Sequence, residues 1–382
     1  MKKTPHVLRL KTMLFLVYSA ISFSVCAQIK EIPLGGKTPD KIVFKEYDLA
    51  LNDEKVAKET LLYENDAHGL GIKEPNASWP KTYKKELVAS NFILKPDKYV
   101  FTYFKGNGED GLHLAYSEDG YKWTALKNDT SFLTPEVGKD KLMRDPCVIK
   151  GGDGLYHMVW TVSWTDKGIG YASSTDLIHW SKQEFIPVMA LEEKARNTWA
   201  PEITYDENSK KYMIYWASTI DGKFLETKSE KEKGYNHRIY YTITKDFKKF
   251  SKTKLLYEPG FNVIDASIVK QEQGFVMYLK DETRDPVQKN IKIAFSKKLE
   301  GPYSKASKAI TGNYWAEGPT AIKIDNNWIV YFDKYTEKKY GAVKETPQGW
   351  VDISEQISFP TGARHGSILR VSEEELSLLK KQ

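Results

Sequence analysis

The sequence predicts an all-β protein, a five-bladed β-propeller whose ring is closed by the C-terminal strand. Three observations carry that expectation. From residue 90 onward one phrase recurs, a short apolar run followed by a turn and an aromatic residue. It occurs as Leu112 to Trp123 and Ile169 to Trp180, and more loosely as Ile239 to Phe250, Ile291 to Tyr303 and Tyr340 to Trp350. Each copy follows an aromatic-rich strand, as in Tyr99 to Phe104, Tyr156 to Val162 and Tyr212 to Ala217. Four of those strands follow a shorter one that opens on an acid: Arg144-Asp145-Pro146, Ala200-Pro201-Glu202, Ile264-Asp265-Ala266 and Glu317-Gly318-Pro319. Three strands plus a fourth after the turn, repeating every 50–70 residues or roughly so, is the content of a propeller blade. A β-sandwich has no reason to repeat at this period.

Taken in order, residues 1–27 read as a secretory signal. Lys2, Lys3, Arg9 and Lys11 precede an apolar run that ends at Val25-Cys26-Ala27, so cleavage is expected near Ala27 and the protein should be secreted or periplasmic. A lipidated Cys26 is the alternative. Ser19, Ser22 and Ser24 interrupt the run, which argues against a transmembrane span, for which about 20 apolar residues are needed. Residues 28–89 read as an N-terminal lead-in packed on the propeller, with one helix over Asp53 to Tyr63. Residues 90–382 form the propeller. Its first blade lacks an acid-led strand, and His365-Gly366-Ser367-Ile368-Leu369 supplies it from the C-terminus, with Asn91 to Leu94 as the other source. Closing the ring removes open sheet edges.

Composition excludes several functions. The formal charge is +6, and removal of residues 1–27 takes away four basic residues and no acid, leaving +2. Nucleic-acid binding wants a concentrated basic face, and none is evident. After cleavage Cys147 is the remaining cysteine, so no intrachain disulfide forms; inside a strand it reads as a small buried hydrophobe. No Gly-x-Ser-x-Gly pattern marks a serine hydrolase. His157, His179 and His237 lack metal-ligand spacing.

In a propeller the inner strands of all blades start near the channel axis. Asp145, Asp265 and Glu317 should therefore meet at one end of the channel, with Glu202 and His365 nearby. Paired carboxyls flanking a glycosidic bond serve as acid on the leaving oxygen and as base on water or nucleophile. A third can tune the acid by like-charge repulsion.

These residues resemble glycoside hydrolase family 43, the five-bladed propeller glycosidases, over roughly residues 90–371. The resemblance rests on Arg144-Asp145-Pro146, Asn197-Thr198-Trp199-Ala200-Pro201-Glu202, Val263-Ile264-Asp265-Ala266-Ser267 and Trp315-Ala316-Glu317-Gly318-Pro319. It implies an inverting enzyme in which Asp145 is the general base, Asp265 tunes pKa and orients, and Glu317 is the general acid. It implies substrates such as α-L-arabinofuranosides or β-D-xylosides on plant or algal polysaccharide side chains. Galactofuranosides and galactan are alternatives from the same family. A non-catalytic sugar-binding propeller and a phosphorylase are alternatives from other classes.

The same resemblance places Arg284 in the active site and His365 near the axis. No cofactor is required, although a structural cation such as calcium beside His365, held largely by water, is compatible with it. Trp164, Trp199 and Trp315 adjoin the acid-led strands, where aromatic faces stack on sugars; Glu202 completes the substrate-binding set. Gly106-Asn107-Gly108-Glu109-Asp110 reads as a hairpin turn and a second source of substrate contacts. The expected state is a monomer whose partner is an oligo- or polysaccharide.

Overall fold

In the structure, a computed structural model, residues 98–382 are described apart from residue 326. N-terminal to them the backbone is described for 41–48, 56–66, 69–72 and 83–88. The chain divides into two compact units, residues 1–96 and 97–382. The proposed signal at 1–27 and the strand alternative at 91–94 lie outside the described residues.

The first unit contains an antiparallel sheet of β1 (Lys41–Asp48), β2 (Val56–Asp66), β3 (Gly69–Ile72) and β4 (Tyr83–Val88), in the order β3-β2-β1-β4. The expected helix over Asp53 to Tyr63 is corrected here: where described, this stretch is strand. Its backbone pairs with β1 on one side and β3 on the other. Cross-strand pairing overrides a local helical preference of a few tenths of a kcal/mol per residue or about that.

The second unit is a ring of five sheets. Blade I holds β5 (Lys98–Tyr103), β6 (His113–Ser117) and β7 (Thr124–Ala125). Blade II holds β8 (Arg144–Lys150), β9 (Tyr156–Thr161), β10 (Ile169–Ser174) and β11 (Glu184–Ile186). Blade III holds β12 (Trp199–Asp206), β13 (Lys211–Ser218), β14 (Arg238–Thr244) and β15 (Lys254–Tyr257). Blade IV holds β16 (Val263–Gln271), β17 (Gly274–Asp281) and β18 (Asn290–Ser296), and blade V holds β19 (Glu317–Ile324), β20 (Asn327–Lys334), β21 (Lys339–Thr346) and β22 (Gly349–Asp352). The last strand, β23 (Ile368–Val371), pairs with β5 and becomes the inner strand of blade I. In place of a fourth strand, blade IV has an irregular edge in which Ser304, Ser307 and Ile310 donate backbone bonds to β18 carbonyls.

The repeated turn has a physical cause. Ser117, Ser174 and Thr244 accept from the backbone two and three residues on, and Asp119, Asp176 and Asp246 cap the next two N–H groups. This is the Asx and Ser/Thr turn chemistry that short polar side chains supply.

Apolar clusters fill all five gaps between blades. One cluster holds Val100 and Trp160 between I and II, another Ile214 and Val159 between II and III, and a third Tyr215 and Met277 between III and IV. A fourth holds Tyr278 and Phe332 between IV and V, and a fifth Tyr331 and Phe101 between V and I. The second strand of each blade is covered on both faces, so it reads as a near-continuous apolar run. A short helix unforeseen in the sequence, α1 (Glu373–Leu379), follows β23. Ser372 and Glu375 form its capping box, and Leu376 and Leu379 are buried in the I–II cluster.

A second set of contacts joins the inner strands, which have no further strand on their channel edge. At each gap an inner-strand N–H donates to a side-chain oxygen of the neighbouring blade. Val148 donates to Ser367 Oγ at 2.9 Å and Ala200 to Thr161 Oγ1 at 2.8 Å. Ile268 donates to Tyr215 Oη at 2.8 Å, Gly318 to Asp265 Oδ2 at 3.0 Å, and Ile368 to Thr320 Oγ1 at 3.1 Å. Buried N–H groups left unpaired are costly, so these five bonds close the channel wall.

The closing strand lies so near blade I that a Cβ on Gly366 would sit 1.6 Å from the Thr102 carbonyl oxygen. Gly366→Ala is expected to destabilise the ring by about 1–3 kcal/mol, read as a lower urea midpoint. An unchanged midpoint would contradict this close approach.

Candidate active site

The mouth of each inner strand from blade II to blade V carries a β-bulge in the same place, where pairing with the second strand shifts register. The residue at the second position of each bulge is left-handed: Asp145 (φ 54°), Ala200 (φ 45°), Asp265 (φ 53°) and Gly318 (φ 57°). Such backbone is uncommon outside glycine and marks a site held by its surroundings. Bulges re-aim side chains, and here they sort the acids. Asp145 and Asp265 occupy the left-handed position, Glu317 the position before it, and Glu202 lies two beyond it.

That sorting decides which acids line the cavity. A cavity of about 280 Å³ opens where the inner strands begin, and Asp145, Asp265, Glu317 and His365 all line it. So do Trp164, Trp199, Arg284 and Trp315. Glu202, expected among the substrate contacts, is not part of the cavity lining; it is buried with its carboxylate accepting from the Tyr215 hydroxyl at 3.2 Å. Burial pushes it up to about 7, against the nearby His365 and the hydrogen bonds from Ser267 and Tyr215.

Asp145 is held on two sides. Thr161 Oγ1 donates to its Oδ2 at 2.8 Å, and the same hydroxyl accepts the cross-blade bond from Ala200. His365 Nδ1 lies 3.4 Å from its Oδ1 and 4.0 Å from Asp265 Oδ2. Burial alone would raise Asp145, but His365, Arg144 and Thr161 outweigh it and bring the carboxyl down to about 2. The reciprocal effect acts on His365. Burial would lower it, yet Asp265, Asp145 and Glu202 raise it to about 9, so the imidazole is a cation at neutral pH. Asp265 is shifted above the usual carboxylate range, chiefly by burial with Glu317 and Asp145 adding like charge.

Glu317 sits between cations. Lys280 Nζ donates to Oε2 at 3.0 Å and Arg364 Nη2 to Oε1 at 2.9 Å. Arg364 also binds the buried Asp333, and Lys280 binds Glu282 at 2.7 Å. Burial opposes the Lys280 charge, but Glu282 and Glu317 hold its pKa well above the usual lysine value. Lys280, Glu282, Arg364 and Asp333 were not anticipated. Lys280 directly extends the apolar run Phe275 to Leu279, and a lysine continuing a buried strand is a signal that carboxylate partners wait nearby.

The residues do not fit a calcium ion beside His365. Its Nδ1 faces two carboxylates as a charged donor, and no group of three or more His, Cys, Asp or Glu among the described residues is arranged to hold a metal. The loop at 106–110 acts through Asn107, whose Oδ1 accepts from both Arg144 Nη1 at 3.1 Å and Trp164 Nε1 at 3.2 Å.

Fold and site together define a five-bladed propeller with a carboxylate-lined cavity at the mouths of its inner strands. The chain belongs to the glycosyl hydrolase family related to glycoside hydrolase family 43: residues 96–377 match the family model described as a probable glycosyl hydrolase domain. An α-L-arabinofuranosidase of Bifidobacterium longum subsp. longum is 22% identical over 351 residues, covering 72% of this chain and 33% of that protein. The chain thus spans about a third of the length of that relative. Among solved structures, a thermostable family-43 glycoside hydrolase is 19% identical over 58% of this chain and 78% of its own, with a TM-score of 0.45. An α-L-arabinofuranosidase from Lactobacillus brevis is 18% identical over 56% of this chain and 72% of its own, with a TM-score of 0.43.

His365 links the site to stability. Its pKa is about 9 in the folded chain against 6.5 for the free side chain. Its contribution is therefore fully present below pH 6.5 and is lost as pH rises through about 9. The wild-type Tm should fall between pH 6 and pH 10 by more than that of His365→Gln. Parallel curves for the two proteins would contradict a charged His365.

Proposed function

We propose that the chain is a secreted or periplasmic monomeric glycosidase that hydrolyses plant or algal polysaccharide side chains with inversion. α-L-Arabinofuranosides and β-D-xylosides are the first substrates to test. The observation that carries this reading is the placement of Asp145, held as a carboxylate, and Glu317 on the wall of one cavity, with Asp265 between their strands. In the reaction Asp145 removes a proton from water as its oxygen attacks the anomeric carbon. The carbon–oxygen bond to the leaving group breaks, and Glu317 delivers a proton to the departing oxygen. Asp265 is a positioning residue, since it accepts from the backbone N–H directly after Glu317. The family match and the arabinofuranosidase relative support the reaction class. The charged and apolar N-terminus supports export, and no helix among the described residues is long and apolar enough to cross a membrane.

One observation favours a second reading, a propeller that binds sugar without chemistry. Both oxygens of Glu317 accept from cations, and an acid catalyst must carry a proton on one of them. On the glycosidase reading, substrate entry displaces one of those donors.

A panel of 4-nitrophenyl and alkyl glycosides, run with and without inorganic phosphate, separates the readings. Hydrolysis independent of phosphate is expected. Asp145→Asn should lower kcat/KM by about 10²–10⁴-fold, and Glu317→Gln should slow alkyl glycosides far more than nitrophenyl ones. Because Asp145 stays ionised to about pH 2, its acid limb should lie below an ordinary aspartate midpoint of about 3.9 and move up in Thr161→Val. Affinity without release across the panel supports the binding propeller instead.

A further inference from the structure

The cations of the site divide into two groups. Lys280, Lys289, Arg364 and His365 each have a carboxylate within 4.0 Å. Arg144 and Arg284, which line the cavity, have none among the described residues. Arg144 is fixed by aromatic packing: its guanidinium carbon lies 4.7 Å from the centre of the Phe104 ring and 4.4 Å from that of Trp164. It spends a single N–H, on Asn107 Oδ1 at 3.1 Å. The same Asn107 oxygen accepts from the Trp164 indole, so loop, ring and guanidinium form one clamped unit. Arg284 lies on another of the cavity's three tryptophans, 4.9 Å from the Trp315 ring centre, with no side-chain hydrogen bond among the described residues.

Two arginines laid on indoles thus keep N–H groups unspent on the cavity lining. A guanidinium edge matches the two oxygens of a carboxylate or sulfate and gains most from them. Asp145 lies next to Arg144 and draws on its field, but does not come within ion-pair distance. Sugar hydroxyls could also accept from these donors, and the two accounts differ in whether charge on the sugar matters.

We propose that the cavity recognises a glycan whose terminal sugar carries an anionic group, a uronate carboxylate or a sulfate ester, through Arg144 and Arg284. The proposal rests on the glycosidase reading for its site, where it sets a charged terminal sugar in place of the neutral pentosides, but not for its test, which measures binding rather than turnover.

Calorimetric titration of the whole chain with glucuronate and galacturonate, with galactose 6-sulfate, and with neutral glucose and galactose reads the preference directly. At least one anionic class should bind about tenfold or more tightly than its neutral parent, and whichever arm does so identifies the group. The preference should weaken at high salt and fall to within about twofold in Arg144→Gln and Arg284→Gln, with circular dichroism confirming the fold. Arg144→Lys should keep part of it. Equal affinity for charged and neutral sugars, no binding of either anionic class, or a preference that survives both substitutions overturns the proposal. Anionic preference without turnover of any glycoside would leave it standing while removing the glycosidase reading; hydrolysis without that preference would do the reverse.

Discussion

The inner edge of each blade is the constraint on which the rest depends. An inner strand pairs with its own blade on one side and faces the channel on the other. Its N–H groups there must find partners outside the sheet. This chain meets the need with one side-chain oxygen per gap, from Ser367, Thr161, Tyr215, Asp265 and Thr320. Two of these oxygens belong to the site itself. Thr161 holds Asp145 with the same hydroxyl that joins blades II and III, and Asp265 joins blades IV and V through the residue beside Glu317. Ring closure and carboxylate placement are therefore one hydrogen-bonded system.

The fold was legible because its repeat has a local cause. A Ser or Thr followed two residues later by Asp builds the same turn in blades I to III, and those turns mark the period directly in the residues. The closing role of residues 365–371 was legible by counting, since one blade lacked an opening strand. The helix expected over 53–63 failed because local preference was read without its pairing partners. Helix α1 went unforeseen, although Ser372 and Glu375 stand at the capping-box spacing.

The site was legible in its acids and in His365 and Arg284, and not in Lys280 and Arg364. All four acids lie near strand openings, so Glu202 was expected beside the other three as a substrate contact. A bulge shifts which residue turns into the channel, and one or two positions decide between a cavity carboxylate such as Asp145 and a buried one such as Glu202. Bulge register depends on pairing with the second strand, which composition does not encode. Lys280 and Arg364 escaped notice because each meets Glu317 from a segment far from it in sequence, a pairing that only the folded ring creates. Their presence changes the electrostatic picture. The cavity alternates charge around its wall, with the His365 imidazolium between Asp145 and Asp265 and two cations on Glu317.

Such a wall suits a water fixed on one face of a sugar and a proton delivered from the other. The stereochemistry of the product tests that geometry most directly. Proton NMR of the anomeric signal, recorded in the first seconds of hydrolysis before mutarotation, should show the configuration opposite to that of the substrate. Retained configuration would require a carboxylate to attack the sugar itself, at a separation between the two groups of about 5 Å, and would contradict the assignment of Asp145 as a base acting through water.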